Sequence, residues 1–256
     1  MRSLLAFMKK EWMEQLRCGR LMILIILFVL LGIMNPAMAK LTPWLFEVMA
    51  DSLAESGITV TEVTVSALDS WTQFFKNLPL GLIAFVLLQS SIFTKEYDTG
   101  TLMLVFTKGF ERIKVLTAKA SLLLILWSAG YWLCFGITCG YNAYFWDNTV
   151  AHNLMFAVIC WWIFGLWVIT LCVLFSVLAK SNAHVLAGTG SIVLLFFLLG
   201  MFPQCREYVP TILTDGASLI YGARSLQVYL FPLIFTVILG IFCLAVSIPL
   251  FRQKKL

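Results

Sequence analysis

Chemistry needs side chains that hold, move or accept charge, and this chain keeps few of them together. Only two histidines occur among its 256 residues, His152 and His184, and neither belongs to an HExxH pair or to a ligand cluster suited to zinc. Gly188-Thr189-Gly190-Ser191 looks superficially like a nucleophile turn. It lacks the Gly-x-Ser-x-Gly order, and its one nearby base is His184, a turn earlier; the small residues read better as a place where helices approach closely. The Gly-x-x-x-x-Gly-Lys-Ser/Thr phosphate cradle is missing, so the chain is not expected to hydrolyse ATP unaided. No catalytic, cofactor-binding or metal-ligating residue is therefore assigned. Of seven cysteines, Cys134, Cys139, Cys160, Cys172 and Cys243 lie in apolar runs, where a thiol behaves as a small hydrophobe. Cys18 and Cys205 offer no pair for a disulfide framework.

The one dense set of ionisable groups falls in residues 92–119, IFTKEYDTGTLMLVFTKGFERIKVLTAK. Lys95, Glu96, Asp98, Lys108, Glu111, Arg112, Lys114 and Lys119 stand there between two apolar runs. The elements that must position them follow from composition. The chain is 61% hydrophobic and 12% charged, with a mean hydropathy of +0.94, more apolar surface than a water-soluble domain of this length hides. Six runs carry no Asp, Glu, Lys or Arg: 21–39, 77–94, 120–146, 153–179, 181–205 and 225–251. A helix crosses a hydrocarbon core with roughly 20 residues; the shortest run, 77–94, needs a residue or two from its ends. Backbone groups in lipid must satisfy one another, so these runs are expected to be helices. The fold class is an all-α polytopic membrane protein with six transmembrane helices.

The placement of the eighteen bases orients it. Fourteen fall on one side: Arg2, Lys9, Lys10, Arg17, Arg20, Lys95, Lys108, Arg112, Lys114, Lys119, Lys180, Arg252, Lys254 and Lys255. Lys40, Lys76, Arg206 and Arg224 fall on the other. The positive-inside rule then puts both termini in the cytoplasm, and an even span count agrees. The net charge of +5 thus reflects topology, and no nucleic-acid partner is implied. Ala37-Met38-Ala39 has the form of a signal-peptidase site, but the first span is expected to be retained.

Residues 1–20 read as an amphipathic helix lying in the inner interface, with Leu5, Met8, Trp12 and Leu16 on one face and Lys9, Lys10, Glu14 and Arg17 around it. The outer loop 40–76 carries Glu47, Asp51, Glu55, Glu62 and Asp69. Within it Thr42-Pro43 suggests the start of a separate helix, Gly57 its end and residues 58–65 an extended stretch. Ser66 and Asp69 match a capping box before the stripe Leu68, Trp71, Phe75 and Leu78. Residues 201–224 leave room for two short re-entrant or interfacial helices. In the charged stretch, Asp98-Thr99-Gly100 breaks the second span, and Thr99 or Thr101 can cap a new helix. Residues 102–106 form a short apolar helix ended by Lys108-Gly109, and a helix restarts at Phe110. Neutral polar residues in the spans (Asn35, Gln89, Thr138, Asn142, Thr170, Ser191) read as bridges between helices.

The amphipathic lead-in, six spans, the charged hinge after the second span and the basic tail together resemble the ABC-2 type permeases, membrane subunits of ATP-binding-cassette transporters. The local match is Glu96-x-x-x-Gly100-Thr101-Leu102, followed by Thr107-Lys108 and Arg112; Gly109 stands where the family often has Pro. The resemblance implies a single permease domain over residues 1–256, with a lead-in (1–20), an extracytoplasmic loop (40–76) and a coupling hinge (95–119). It implies that Glu96, Asp98, Gly100, Thr101, Leu102, Phe106, Thr107, Lys108 and Arg112 meet an ATPase. It further implies separate cassette ATPase subunits that use the ATP, a second permease chain (identical or not), export as the direction, and a bacterial cell membrane as the location. The alternatives are a self-sufficient secondary carrier, weakened by the lack of ionisable groups within the spans, and a membrane-embedded enzyme or assembly factor, weakened by the missing catalytic cluster.

Overall fold

The computed structural model describes residues 2–48, 64–107 and 109–254, and among these there are helices and no strands. In order they are α1 (Arg2–Arg17), α2 (Arg20–Val48), α3 (Ala67–Gln89), α4 (Ser91–Asp98), α5 (Thr101–Thr107), α6 (Arg112–Phe145), α7 (Leu154–Leu178), α8 (Asn182–Gly200), α9 (Pro203–Arg206), α10 (Gly216–Ile220) and α11 (Gln227–Gln253), with 3-10 turns at Asn148–Val150 and Pro210–Thr214. Six helices are long and apolar enough to cross a membrane: α2, α3 running on into α4, α6, α7, α8 and α11. The protein is an integral membrane protein.

Span α7 lies at the centre, packed against α11, α8 and α6, while α2 packs against α3 and α6. The core between α2, α3, α6 and α7 is aromatic. Trp127 meets Phe28 at 5.9 Å, Phe85 at 5.6 Å and Tyr131 at 5.6 Å between ring centroids. Tyr131, fully buried, donates its hydroxyl to the Val158 carbonyl at 2.7 Å, so the phenol is satisfied in an apolar setting. Glycines make room for these rings: a Cβ at Gly130 would overlap Phe28, and one at Gly165 would overlap Trp127.

One expectation changes. Helix α2 does not stop near residue 39 for a new helix to begin at Pro43; it continues through Pro36 and Pro43 to Val48. A continuous span tolerates Pro within it, and Thr42 donates its hydroxyl to the Met38 carbonyl at 2.8 Å beside the site. Gly57 and residues 58–63 lie outside the described residues. The expected cap at the head of α3 is present in its return half, with the Asp69 carboxylate accepting from the Ser66 N–H at 2.9 Å.

On α1 the residues Leu5, Trp12 and Leu16 of the expected stripe face away from the protein, with exposures of 63%, 39% and 52%, while Met8 packs against the core; the face docked on the bundle is Phe7, Glu11 and Gln15. At the opposite end of the molecule the loop 201–224 folds into two short helices, α9 and α10, with the second 3-10 turn between them. These tuck inward: Trp161 donates to the Thr214 carbonyl at 3.1 Å, and Leu213, Leu219 and Ile220 are buried.

Candidate functional site

The hinge between the second and third spans is built from punctuation. Gly100 and Gly109 adopt φ of +66° and +82°, a region that side chains other than glycine's avoid, and they bracket the two-turn helix α5. Thr99 closes α4 and donates its hydroxyl to the Lys95 carbonyl at 2.9 Å, and Glu111 stands at the N-cap of α6. Short helix, left-handed stops and the restart thus fall where the sequence puts them.

The expected contact residues divide by environment. Gly100, Thr101 and Thr107 are exposed, as is Met103 at 55%. Leu102 is buried at 1% and anchors α5 to the core. Phe106 and Arg112 are half-buried and turn toward the end of α11. The Phe106 ring lies 6.2 Å from that of Phe251 and 5.2 Å from the Arg112 guanidinium, while Arg112 Nη1 reaches the Phe251, Arg252 and Lys254 carbonyls at 3.1, 2.8 and 2.7 Å. Asp98 ends α4, and Lys108 lies outside the described residues.

Glu96 faces inward and belongs to a cluster that the sequence reading missed. Lys119 Nζ, 1% exposed, lies 2.9 Å from Glu11 Oε2 and 3.0 Å from Glu96 Oε2; the first is a hydrogen bond, and the second is an ion contact off the hydrogen-bonding angle. It also donates to the Ile92 carbonyl at 3.1 Å. Lys10 Nζ lies 2.9 Å from Glu11 Oε1, 2.8 Å from Glu96 Oε1 and 3.3 Å from Glu14. Two lysines and two glutamates alternate, each lysine joining both acids, so Lys119, Glu11 and Glu96 are buried with Lys10 closing the set at its exposed rim, and the charges neutralise one another. Burial works against the Lys10 charge, but the hydrogen bonds and charges of Glu96 and Glu11 outweigh it and raise its pKa. Below the cluster Gln15 and Gln89 exchange hydrogen bonds of 3.0 and 3.2 Å, both side chains being buried. Helix α1 is thereby fixed to α3, α4 and α6. Lys119, assigned by its charge to a loop, is instead interior, because α6 starts seven residues before it and carries it into the core. The only sign available in sequence was the position of Glu11 and Gln15 one turn apart, on the face of α1 bearing Phe7.

Glu11, Glu14 and Glu96 bring carboxylate oxygens within 4.8 Å of one another, but Lys10 and Lys119 already occupy that space as counter-charges. Deeper in the bundle the polar groups are neutral, and some bridge helices: Asn35 donates to Thr138 at 3.0 Å, and Asn77 donates to Asn35 at 2.8 Å. Thr170 instead donates to the Trp167 carbonyl of its own helix, and the buried Asn142 amide makes no side-chain hydrogen bond. Ser191 donates to the Gly188 carbonyl at 3.0 Å, one helical turn of local bonding in place of a nucleophile–base pair. At the far end a cavity of about 600 Å³ opens among Phe197, Met201, Arg206, Asp215 and Arg224. Asp215 holds Arg206 at 3.7 Å and Arg224 at 3.9 Å there. Every cysteine among the described residues is free.

A family model described as ABC-2 family transporter protein matches residues 5–238. No curated protein matches the chain.

Proposed function

The chain belongs to the ABC-2 family of transporter proteins, a membrane permease subunit of an ATP-binding-cassette transporter, and from this premise we propose that it exports its solute as one half of a permease dimer driven by separate ATPase subunits. The observation that carries the reading is α5. It is a two-turn helix between two left-handed glycines, anchored by Leu102 and displaying Thr101, Met103 and Thr107. It stands at the end of the bundle where α1, the foot of α7 and the tail of α11 also gather. That end carries fourteen of the eighteen bases by the sequence assignment, which favours the cytoplasmic side.

In this reading Gly100, Thr101, Met103 and Thr107 meet the ATPase, together with Asp98 and Lys108. Leu102, Phe106 and Arg112 transmit its movement, and Glu96 holds α4 rigid. The chain supplies no nucleotide chemistry of its own; ATP is used by the partner, and the location is the bacterial cell membrane. A pull-down from membranes tests it. Wild-type chain is expected to retain a cassette ATPase, identified by its nucleotide hydrolysis. Met103→Asp combined with Thr101→Arg should insert normally and lose that partner. Undiminished capture by the double variant would remove α5 as the docking element.

A further inference from the structure

The family's logic accounts for a hinge that moves the two spans it joins. The tail of α11 adds something else. Residues 251–254 lie beyond the matched stretch of 5–238, so family membership does not supply their role. A helix ends with carbonyls that have no partner of their own. Here three of them, those of Phe251, Arg252 and Lys254, are taken by Arg112, the first residue of α6. Phe251 is 1% exposed and sits between Phe93 of α4 at 5.9 Å and Phe106 of α5 at 6.2 Å, edge-on to both. Lys254 then reaches across to the foot of α7, donating to the Val177 and Ala179 carbonyls at 2.6 and 2.8 Å, with its ammonium 4.0 Å over the Tyr97 ring.

Four residues of tail therefore touch α4, α5, α6 and α7. Each contact suits its chemistry: one guanidinium nitrogen and an ammonium on helix C-terminal carbonyls, where cations are favoured, and a phenyl ring in an aromatic slot.

We propose that residues 251–254 form a clasp that makes α5 one rigid body with the sixth span and the foot of the fourth, and that Arg112 and Phe251 are positioning residues for coupling. Movement imposed on α5 is delivered to α11 and α7 as well as to the spans on either side. This rests on α5 being the ATPase seat, but the clasp itself is a property of the chain alone, and the two are tested separately.

The test uses the full chain in lipid nanodiscs, with its native cysteines replaced and spin labels at the exposed positions Met103→Cys and Gln253→Cys. The chain alone should give one narrow distance. Arg112→Ala, and separately Phe251→Ala, should broaden it, while Phe251→Met, which keeps the volume, should restore it. A distance already broad in the parent, or unmoved by both alanine variants, overturns the clasp whatever the ATPase does. With the captured ATPase added to the unlabelled chain, Phe251→Ala should hydrolyse ATP near the parent rate with transport reduced at least tenfold. Transport that survives in Phe251→Ala also overturns the clasp. Failure to capture any ATPase defeats the docking role of α5 and leaves the first set of distances to decide the clasp.

Discussion

The Lys119 ammonium lies 2.9 Å from Glu11 Oε2, across 108 residues of sequence and with both side chains almost wholly buried. Removing either partner leaves the quartet with one uncompensated buried charge, a change that costs up to about 3–5 kcal/mol, whereas removing a pair together costs far less. Lys119→Met should therefore lower the melting temperature in detergent sharply, and adding Glu11→Gln should recover part of the loss. Additive losses in the double variant would show that the two do not interact.

The Gln15–Gln89 pair offers a neutral counterpart. Each amide donates to the other, so Gln89→Leu strands the Gln15 amide in the interior at a cost of about 1–3 kcal/mol, and Gln15→Leu with Gln89→Leu should be close to neutral. Thermal unfolding of the three variants checks this. Equal destabilisation in the single and double forms would refute the reciprocal bond.

Gly165 faces the Trp127 ring, and a methyl group there overlaps it. Gly165→Ala should destabilise by about 1–3 kcal/mol through overpacking, and Trp127→Phe in the same chain should relieve part of it. The comparison is again a melting series.

Gly100 and Gly109 hold positive φ with open space around them, so only backbone strain opposes a side chain. Gly100→Ala and Gly109→Ala should each cost about 1 kcal/mol. Both are expected to disturb α5 more than the spans, and hydrogen exchange confined to residues 99–111 is the measurement that checks it.

The raised pKa of Lys10 has a sign that can be followed. A lysine whose folded value lies above its unfolded one contributes stability in full below the unfolded value, and the contribution is lost as pH rises through the folded value. Docking of α1 should therefore be indifferent to this group between about pH 6 and about pH 9. Exchange protection of Glu11–Gln15 amides across that window is the check; loss of protection well below the usual lysine range would contradict the pairing.

The spans were legible because a charge-free run of such length has few other structures open to it. The hinge was legible because Gly100 and Gly109 sit at the ends of a short apolar segment, a local signal with a local cause. Pro43 misled, since a residue that often opens a helix here stands inside one that runs on to Val48. The quartet was hidden for a different reason. Glu11, Lys10, Glu96 and Lys119 each look like surface residues in sequence, and their neutrality is a property of three elements meeting, which no single window contains. Arg112 and Phe106 were picked out as residues of consequence, but their partner at the end of α11 lies more than a hundred residues away.

Helix α1 presents Leu5, Trp12 and Leu16 outward while Lys10 and Glu11 grip α4 and α6. One rigid element thus carries two unlike faces, so substitutions at its exposed apolar flank and substitutions in the charged quartet act on opposite sides of the same helix, and only the latter loosen its hold on α4 and α6.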